Sequence, residues 1–369
     1  MKVAKAQLVT IPYLLPLALM VLEVRPAAAQ QIYVANGGVA SDNLSVVDGD
    51  PRSPTYNTVV ATVSLDAPGC QIHVPKACSP AGIAITPDGT RAYVTDLNGG
   101  AVSVVSTATN TQVAAISFST DPNASAGWEP WGVAVTPDGS FAYVVSFNLS
   151  SFGVSVIDVN PASPTYNTVV ATVPGLAGSK FARSVAITPD GRFAYIPFGD
   201  VNGGSGGVAV ISTKNNQLVA TIPLGSGSFD VEGLAFTPHG DFVYVAGFGL
   251  GLLFEIRTQT NKVVDTVTGL GVTGLGRTFG VAITPDGSFV YVTDEQGGVV
   301  SVIRTTNDKV VATVPVGVGP VGVAITSDGN SAYVTNAGSD TVSVIDTRSS
   351  TVITTIGVGN GPGGIAITP

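Results

Sequence analysis

The chain has 369 residues and a formal net charge of −9, with only 11% charged residues against 45 glycines and 24 prolines. No basic cluster occurs, which excludes the electrostatic footprint of a nucleic-acid or anionic-lipid binder. So much glycine and proline excludes a helical bundle, and a 44% hydrophobic content excludes a disordered chain, leaving many short strands joined by tight turns.

Residues 1–29 read as an export signal. Lys2 and Lys5 precede an apolar stretch over residues 8–22, and Ala27, Ala28 and Ala29 supply small residues before Gln30. Pro12 and Pro16 interrupt a run already short for a membrane anchor of about 20 residues. Cleavage would remove Lys2, Lys5, Glu23 and Arg25, leaving 13 basic and 24 acidic residues and a net charge of −11. The expected product is secreted, periplasmic or held at the cell surface, with no span left in it. Its two cysteines, Cys70 and Cys78, share one loop, and in an exported chain they are expected to form a disulfide worth roughly 2–3 kcal/mol.

From residue 30 onward the chain repeats. A phrase of the form Gly-Ile/Val-Ala-Ile/Val-Thr-Pro-Asp-Gly occupies residues 82–89 and 132–139. Variants follow at 184–191, 233–240, 280–287 and 322–329, and a seventh copy begins at Gly364 and reaches Pro369. The proline slots are spaced by 50, 52, 49, 47, 42 and 42 residues. A period in the forties predicts propeller blades of four strands. Alternation and turn chemistry divide each unit. An inner strand such as residues 82–86 leads through Pro-Asp-Gly to a second strand such as 92–95. A third strand such as 342–346 and a fourth such as 310–314 follow their own polar turns. The second strand carries seven of the ten tyrosines, Tyr33, Tyr93, Tyr143, Tyr195, Tyr244, Tyr291 and Tyr333.

The first second strand (32–35) has no inner strand before it, and the last inner strand (364–368) has no second strand after it. Pairing them completes a blade and removes two open sheet edges. The expectation is an all-β, seven-bladed propeller with four antiparallel strands per blade, spanning residues 30–369 and closed by its C-terminal strand. Further repeats beyond residue 369 are the alternative.

Tyr333-Val334-Thr335-Asn336, with Thr341 to Asp346 and Gly322 to Thr326 around it, resembles the YVTN family of propeller repeats. The resemblance covers residues 31–369 and implies a module like those of surface-layer and other exported proteins. Tyr195-Ile196-Pro197-Phe198 and Tyr244-Val245-Ala246-Gly247 depart from the motif, so the middle blades are where specialised function is expected. Related propellers include lactonases and lyases that use a carboxylate-held metal or a channel histidine. Glu129 and Glu232 are the carboxylates that such a reading would need here.

Loops entering the inner strands share one face around the channel. The residues just before the repeated phrase are Ala81, Trp131, Arg183, Glu232, Phe279, Val321 and Gly363, with Trp128, Glu129, Lys180, Asp230 and Arg277 nearby. Trp128, Glu129, Trp131, Arg183, Glu232 and Phe279 are therefore the candidate ligand-binding residues. An indole for stacking and an arginine for bidentate bonds suit a glycan, a peptide or an acidic group. The same residues also fit a plug, with Arg183 paired to Glu232 across blades.

No catalytic residue, metal or cofactor is expected. Asp88, Asp138, Asp190, Asp286 and Asp328 all fall in the same turn, which explains them structurally. Asp48-Gly49-Asp50 is only a fragment of a calcium loop. His239 occupies the aspartate slot of one such turn, and His73 lies in the cysteine loop. The favoured reading is a non-catalytic, monomeric binding or scaffold module for an extracellular or cell-surface partner. The alternative is a lactonase- or lyase-like enzyme acting at the same mouth.

Overall fold

The computed structural model describes residues 30–38, 41–66, 78–118, 129–148, 151–174, 180–200, 206–225, 230–248, 251–270 and 277–369. The expected export signal (1–29), Cys70, His73 and Trp128 lie outside them. Seven antiparallel sheets follow one another around an axis. Each runs inner, second, third and outer strand, as in blade 2 with Pro80–Ile85, Arg91–Asp96, Ala101–Ser106 and Thr111–Ser117. No helix among the described residues is long and apolar enough to cross a membrane.

Blade 1 is closed as expected. Pro362–Ile367 supplies its inner strand and pairs antiparallel with Gln31–Asn36, placing Ile367 opposite Ile32 and Ile365 opposite Val34. Thr368 extends the seam, its hydroxyl accepting the Gln31 N–H at 2.8 Å while its own N–H donates to the Gln31 carbonyl at 2.9 Å.

A single four-stranded blade buries neither face, so stacking supplies the core. The large apolar clusters each join two neighbouring blades; one holds Tyr33 and Leu44 of blade 1 with Ala92 and Val94 of blade 2. The cluster across the closing seam holds Ile32 and Val34 with Tyr333 and Val342 of blade 7.

The face carrying the Pro-Asp-Gly turns is held by one repeated device. Six of the seven second-strand tyrosines send their hydroxyls to the next blade's third-to-outer turn, where they meet a side chain at a left-handed position. Tyr93 reaches Asn167 at 2.8 Å, Tyr143 reaches Asn216 at 2.6 Å, and Tyr195 reaches Asn261 at 2.5 Å. Tyr33 bonds Asn110, Tyr244 reaches Asp308 at 2.9 Å, and Tyr333 reaches back to Asn57 at 2.6 Å. Tyr291 lies against Ser350 and the Thr347 carbonyl at 3.5 Å. The receiving residues all take φ between 50° and 59°, a conformation that asparagine tolerates best among residues with a side chain. One side chain thus satisfies the turn backbone and the blade seam together. Burial pushes the hydroxyls up, those of Tyr143, Tyr195 and Tyr291 to about 12, so they remain donors at any physiological pH.

The turn aspartates behave as the sequence predicts. Asp286 accepts the Thr284 hydroxyl at 2.6 Å and the Ser288 N–H at 3.0 Å, and these bonds hold its carboxyl below the usual range. Asp48 accepts the Asp50 N–H and the Thr55 hydroxyl, while Asp50 is paired with Arg52, so this fragment is a local cap. His239 is exposed on this same face, away from the channel mouth.

Each outer strand carries a β-bulge whose unpaired residue is aliphatic. Val60, Val113, Val170, Val219, Val264, Val311 and Ile353 are skipped by the register, and each is 43–53% exposed. Bulges twist an edge away from edge-to-edge pairing, which protects seven otherwise open perimeters.

Candidate functional site

The inner strands bear a second ring of bulges, and these build the channel mouth. In blade 2, Ala81 and Gly82 together oppose Thr95; in blade 6, Phe279 and Gly280 oppose Thr293. Equivalent register breaks occur at Trp131, at Glu232 with Gly233, at Val321 with Gly322 and at Gly363 with Gly364. A bulge re-aims a side chain, and here the residue before each glycine lines the channel. The glycine is required by crowding: a Cβ at Gly82 would lie 2.2 Å from the Trp131 carbonyl oxygen, and one at Gly233 only 2.0 Å from that of Phe279.

Blade 4 breaks the rule. It carries Ser184 where six blades have glycine, and Pro197, which has no N–H for a ladder, in its second strand. Its inner strand is reduced to Lys180–Phe181 and Ala186–Ile187, and residues 182–185 leave the sheet. Arg183 sits in that gap. Blades 2, 6 and 7 instead tie their bulges with a threonine. Thr95 accepts the Gly82 N–H at 2.8 Å and donates to the Trp131 carbonyl of the next blade at 2.7 Å; Thr293 and Thr335 do the same. Ala35, Val145, Pro197 and Ala246 leave the other four blades without this tie.

The result is a funnel of about 290 Å³. Its rim is Ala81, Trp131, Arg183, Glu232, Phe279, Val321 and Gly363, the seven residues that the repeat alignment predicts. Its floor is the aliphatic residue two positions further along each strand, from Ile83 and Val133 round to Ile365. Polarity is confined to one side. Arg183 bonds Glu232 of the neighbouring blade through Nη1, with the Glu232 side chain 6% and the Arg183 side chain 32% exposed. The guanidinium carbon lies 4.8 Å from the Trp131 ring centroid and 5.4 Å from that of Phe181, both within cation–π range. Trp131 Nε1 is buried and has no hydrogen-bond partner.

Four of the six candidate ligand residues are therefore brought together: Trp131, Arg183, Glu232 and Phe279. Glu129 is exposed on the inner strand of blade 3 and does not line the funnel. Trp128 is outside the described residues, as is the Cys70 half of the expected disulfide; Cys78 is fully buried. Phe181 escapes sequence reasoning because it lies two residues before its slot, and only the break in blade 4 carries it beside the guanidinium. Among the described residues no group of three or more His, Cys, Asp or Glu could hold a metal ion.

No protein-family model matches the chain, and no curated protein matches its sequence. Solved structures do. Kuenenia stuttgartiensis hydrazine synthase is 22% identical over 83% of this chain and 90% of that chain, with a TM-score of 0.67. The periplasmic gluconolactonase of Pseudomonas aeruginosa is 17% identical over 93% of this chain and 99% of that one, with a TM-score of 0.70. At these identities the likeness shows the fold, a seven-bladed propeller.

Proposed function

We propose that the protein is an exported propeller of the YVTN repeat type that binds a small ligand, or a small part of a larger one, at the wide mouth of its channel without catalysing a reaction. The observation that carries this reading is the grouping of Trp131, Arg183 and Glu232 at the channel-lining slot of three successive blades, where other blades place Ala81, Val321 and Gly363. Closing a propeller does not require that exchange. A concave, mostly apolar site with a few convergent polar groups is what small-ligand sites have in common. The export signal read from residues 1–29, together with the periplasmic location named for the gluconolactonase, supports an extracytoplasmic setting.

A second reading, a hydrolase at the same mouth, draws on the fold shared with that gluconolactonase. Glu232 is the rim carboxylate that would serve it. One experiment separates the two. Ligands and simple lactones are screened by tryptophan fluorescence and by turnover, using the wild type, Trp131→Phe and Glu232→Gln. Binding that quenches the indole and weakens by about tenfold in Trp131→Phe, without turnover, supports the module. Lactone turnover lost in Glu232→Gln replaces it with the enzyme. Binding unchanged in both variants removes the mouth from either role.

A further inference from the structure

The seam between blades 5 and 6 departs from the other six at three positions at once, and each replacement adds an acid. Opposite the second-strand tyrosine the third strand carries valine in six blades, as Val210 faces Tyr195, but Glu255 faces Tyr244 in blade 5. Across from that slot the outer strand carries alanine in five blades and Thr354 in blade 7, but Asp265 in blade 5. The left-handed residue that receives Tyr244 is Asp308, where five seams have asparagine.

We infer that this seam is a proton-dependent clasp, in which Glu255 and Asp308 share one proton through the Tyr244 hydroxyl and lose their hold when it leaves. The geometry is short of a hydrogen without it. Tyr244 Oη lies 3.1 Å from Glu255 Oε1 and 2.9 Å from Asp308 Oδ1. A phenol has one hydrogen to donate, and an ionised carboxylate can only accept. Both contacts are full hydrogen bonds when one carboxyl is protonated and donates to the phenol oxygen while the phenol donates to the other. With both acids ionised, one contact is left as oxygen against oxygen. Asp265, directly opposite Glu255 on the outer strand, adds a like charge to that side.

The surroundings favour keeping the proton. Glu255 is buried and Asp308 half-buried, and desolvation raises both carboxyls above their usual range. Asp308 raises Glu255 further and Asp265 raises both, while their bonds to Tyr244 oppose the rise. Arg257 also opposes it at Glu255, but its guanidinium lies over Phe242 at 4.8 Å. Burial pushes the Tyr244 hydroxyl far above its ordinary value, so the phenol keeps its hydrogen and the titrating proton belongs to the carboxyl pair. Acids raised in the folded state bind their proton more tightly there than in the unfolded chain. The clasp is therefore at full strength below about pH 4, the ordinary carboxylate value, and is lost as pH rises through the raised folded value.

Hydrogen exchange reads the seam directly. The Asp308 N–H donates to the Arg304 carbonyl at 2.9 Å, and the Asn216 N–H donates to the Ser212 carbonyl at 2.9 Å in the seam between blades 3 and 4, which lacks these acids. Wild type, Asp308→Asn and Glu255→Gln are compared in the presence of a chelator between about pH 5 and about pH 8. Protection of the 304–309 turn, corrected for intrinsic exchange, is referred to that of the 212–217 turn. In the wild type this ratio should fall about tenfold as pH rises, the effect of losing one charge-assisted hydrogen bond, and it should stay level in both variants. Two variants are used so that misfolding of one leaves the other to decide. A level wild-type profile overturns the inference, as does a fall that both variants retain. Protection restored at high pH by added calcium also overturns it, because a bound cation would then be what closes the clasp.

Discussion

The two faces of the propeller are built from the same seven repeats and obey different rules. On the turn face a tyrosine meets a left-handed residue of the next blade at every seam, and that residue is asparagine at five of the seven. On the mouth face the corresponding slot holds Ala, Trp, Arg, Glu, Phe, Val and Gly, one in each blade. The difference teaches where the ring is held together. The turn face has one geometric problem to solve seven times, a left-handed backbone next to a blade seam, and asparagine solves both parts. A bulge glycine already carries the steric demand at the mouth, so the residue before it varies without endangering closure.

The sharpest way to break this comparison is to open the ring. Deleting residues 362–369 removes the inner strand of blade 1, its ladder bonds and the packing of Ile365 and Ile367 against blade 7. The expected loss is on the order of several kcal/mol, seen as a thermal transition at much lower temperature. A truncated chain that melts with the full-length protein would mean that this seam contributes nothing.

Next in size is the rim pair. Arg183→Ala alone takes the guanidinium away from the nearly buried Glu232 carboxylate and should destabilise by at most about 3 kcal/mol, whereas Arg183→Met with Glu232→Gln should be nearly neutral. Chemical denaturation of both variants checks this. If the single variant is as stable as the wild type, water compensates Glu232 and the pair is not structural.

The tyrosine clasp gives a smaller effect. Tyr333→Phe should cost about 1 kcal/mol, the usual net value of one such bond, with the same loss expected for Tyr93→Phe on another seam. Unequal losses would show that the seams are not equivalent.

A pH dependence sharpens the contrast further. Asp96 stands where blades 1 and 7 have Asn36 and Asn336. It is fully buried, its Oδ1 has no partner, and the Ser103 hydroxyl donates to Oδ2 at 2.7 Å. Burial, opposed by that bond and reinforced by Asp42, pushes its carboxyl up to about 7. An acid raised in the folded state binds its proton more tightly there than in the unfolded chain. Stability should therefore fall as pH rises from about 4, the ordinary aspartate value, to about 7, and then level off. Asp96→Asn should remove that contribution and melt higher than the wild type at pH 8. A variant that melts lower at pH 8 would show that the carboxylate is stabilised in place.

Much of this architecture was legible beforehand. The spacing of the proline slots and the unmatched strands at residues 32–35 and 364–368 gave the blade count and the manner of closure. Strand alternation and turn chemistry are local, and seven copies make a local signal unmistakable. The rim was legible for the same reason: the residue before the repeated glycine, or before Ser184 in blade 4, keeps its place in every blade. Glu129 lies outside the funnel lining because proximity in sequence to Trp131 does not put a side chain on the bulge.

The amino-acid sequence by itself determined the repeat, the strand order within each blade and which seven residues ring the channel. All of these follow from periodicities of two and of 42 to 52 residues along the chain. Only the tertiary structure decided that Arg183 lies between Trp131 and Phe181 with Glu232 on its flank, and that the tyrosines clasp their neighbours. Phe181 aside, those contacts join residues roughly 50 to 280 positions apart. Their geometry is set by how far adjacent blades rotate and approach, which no single repeat encodes.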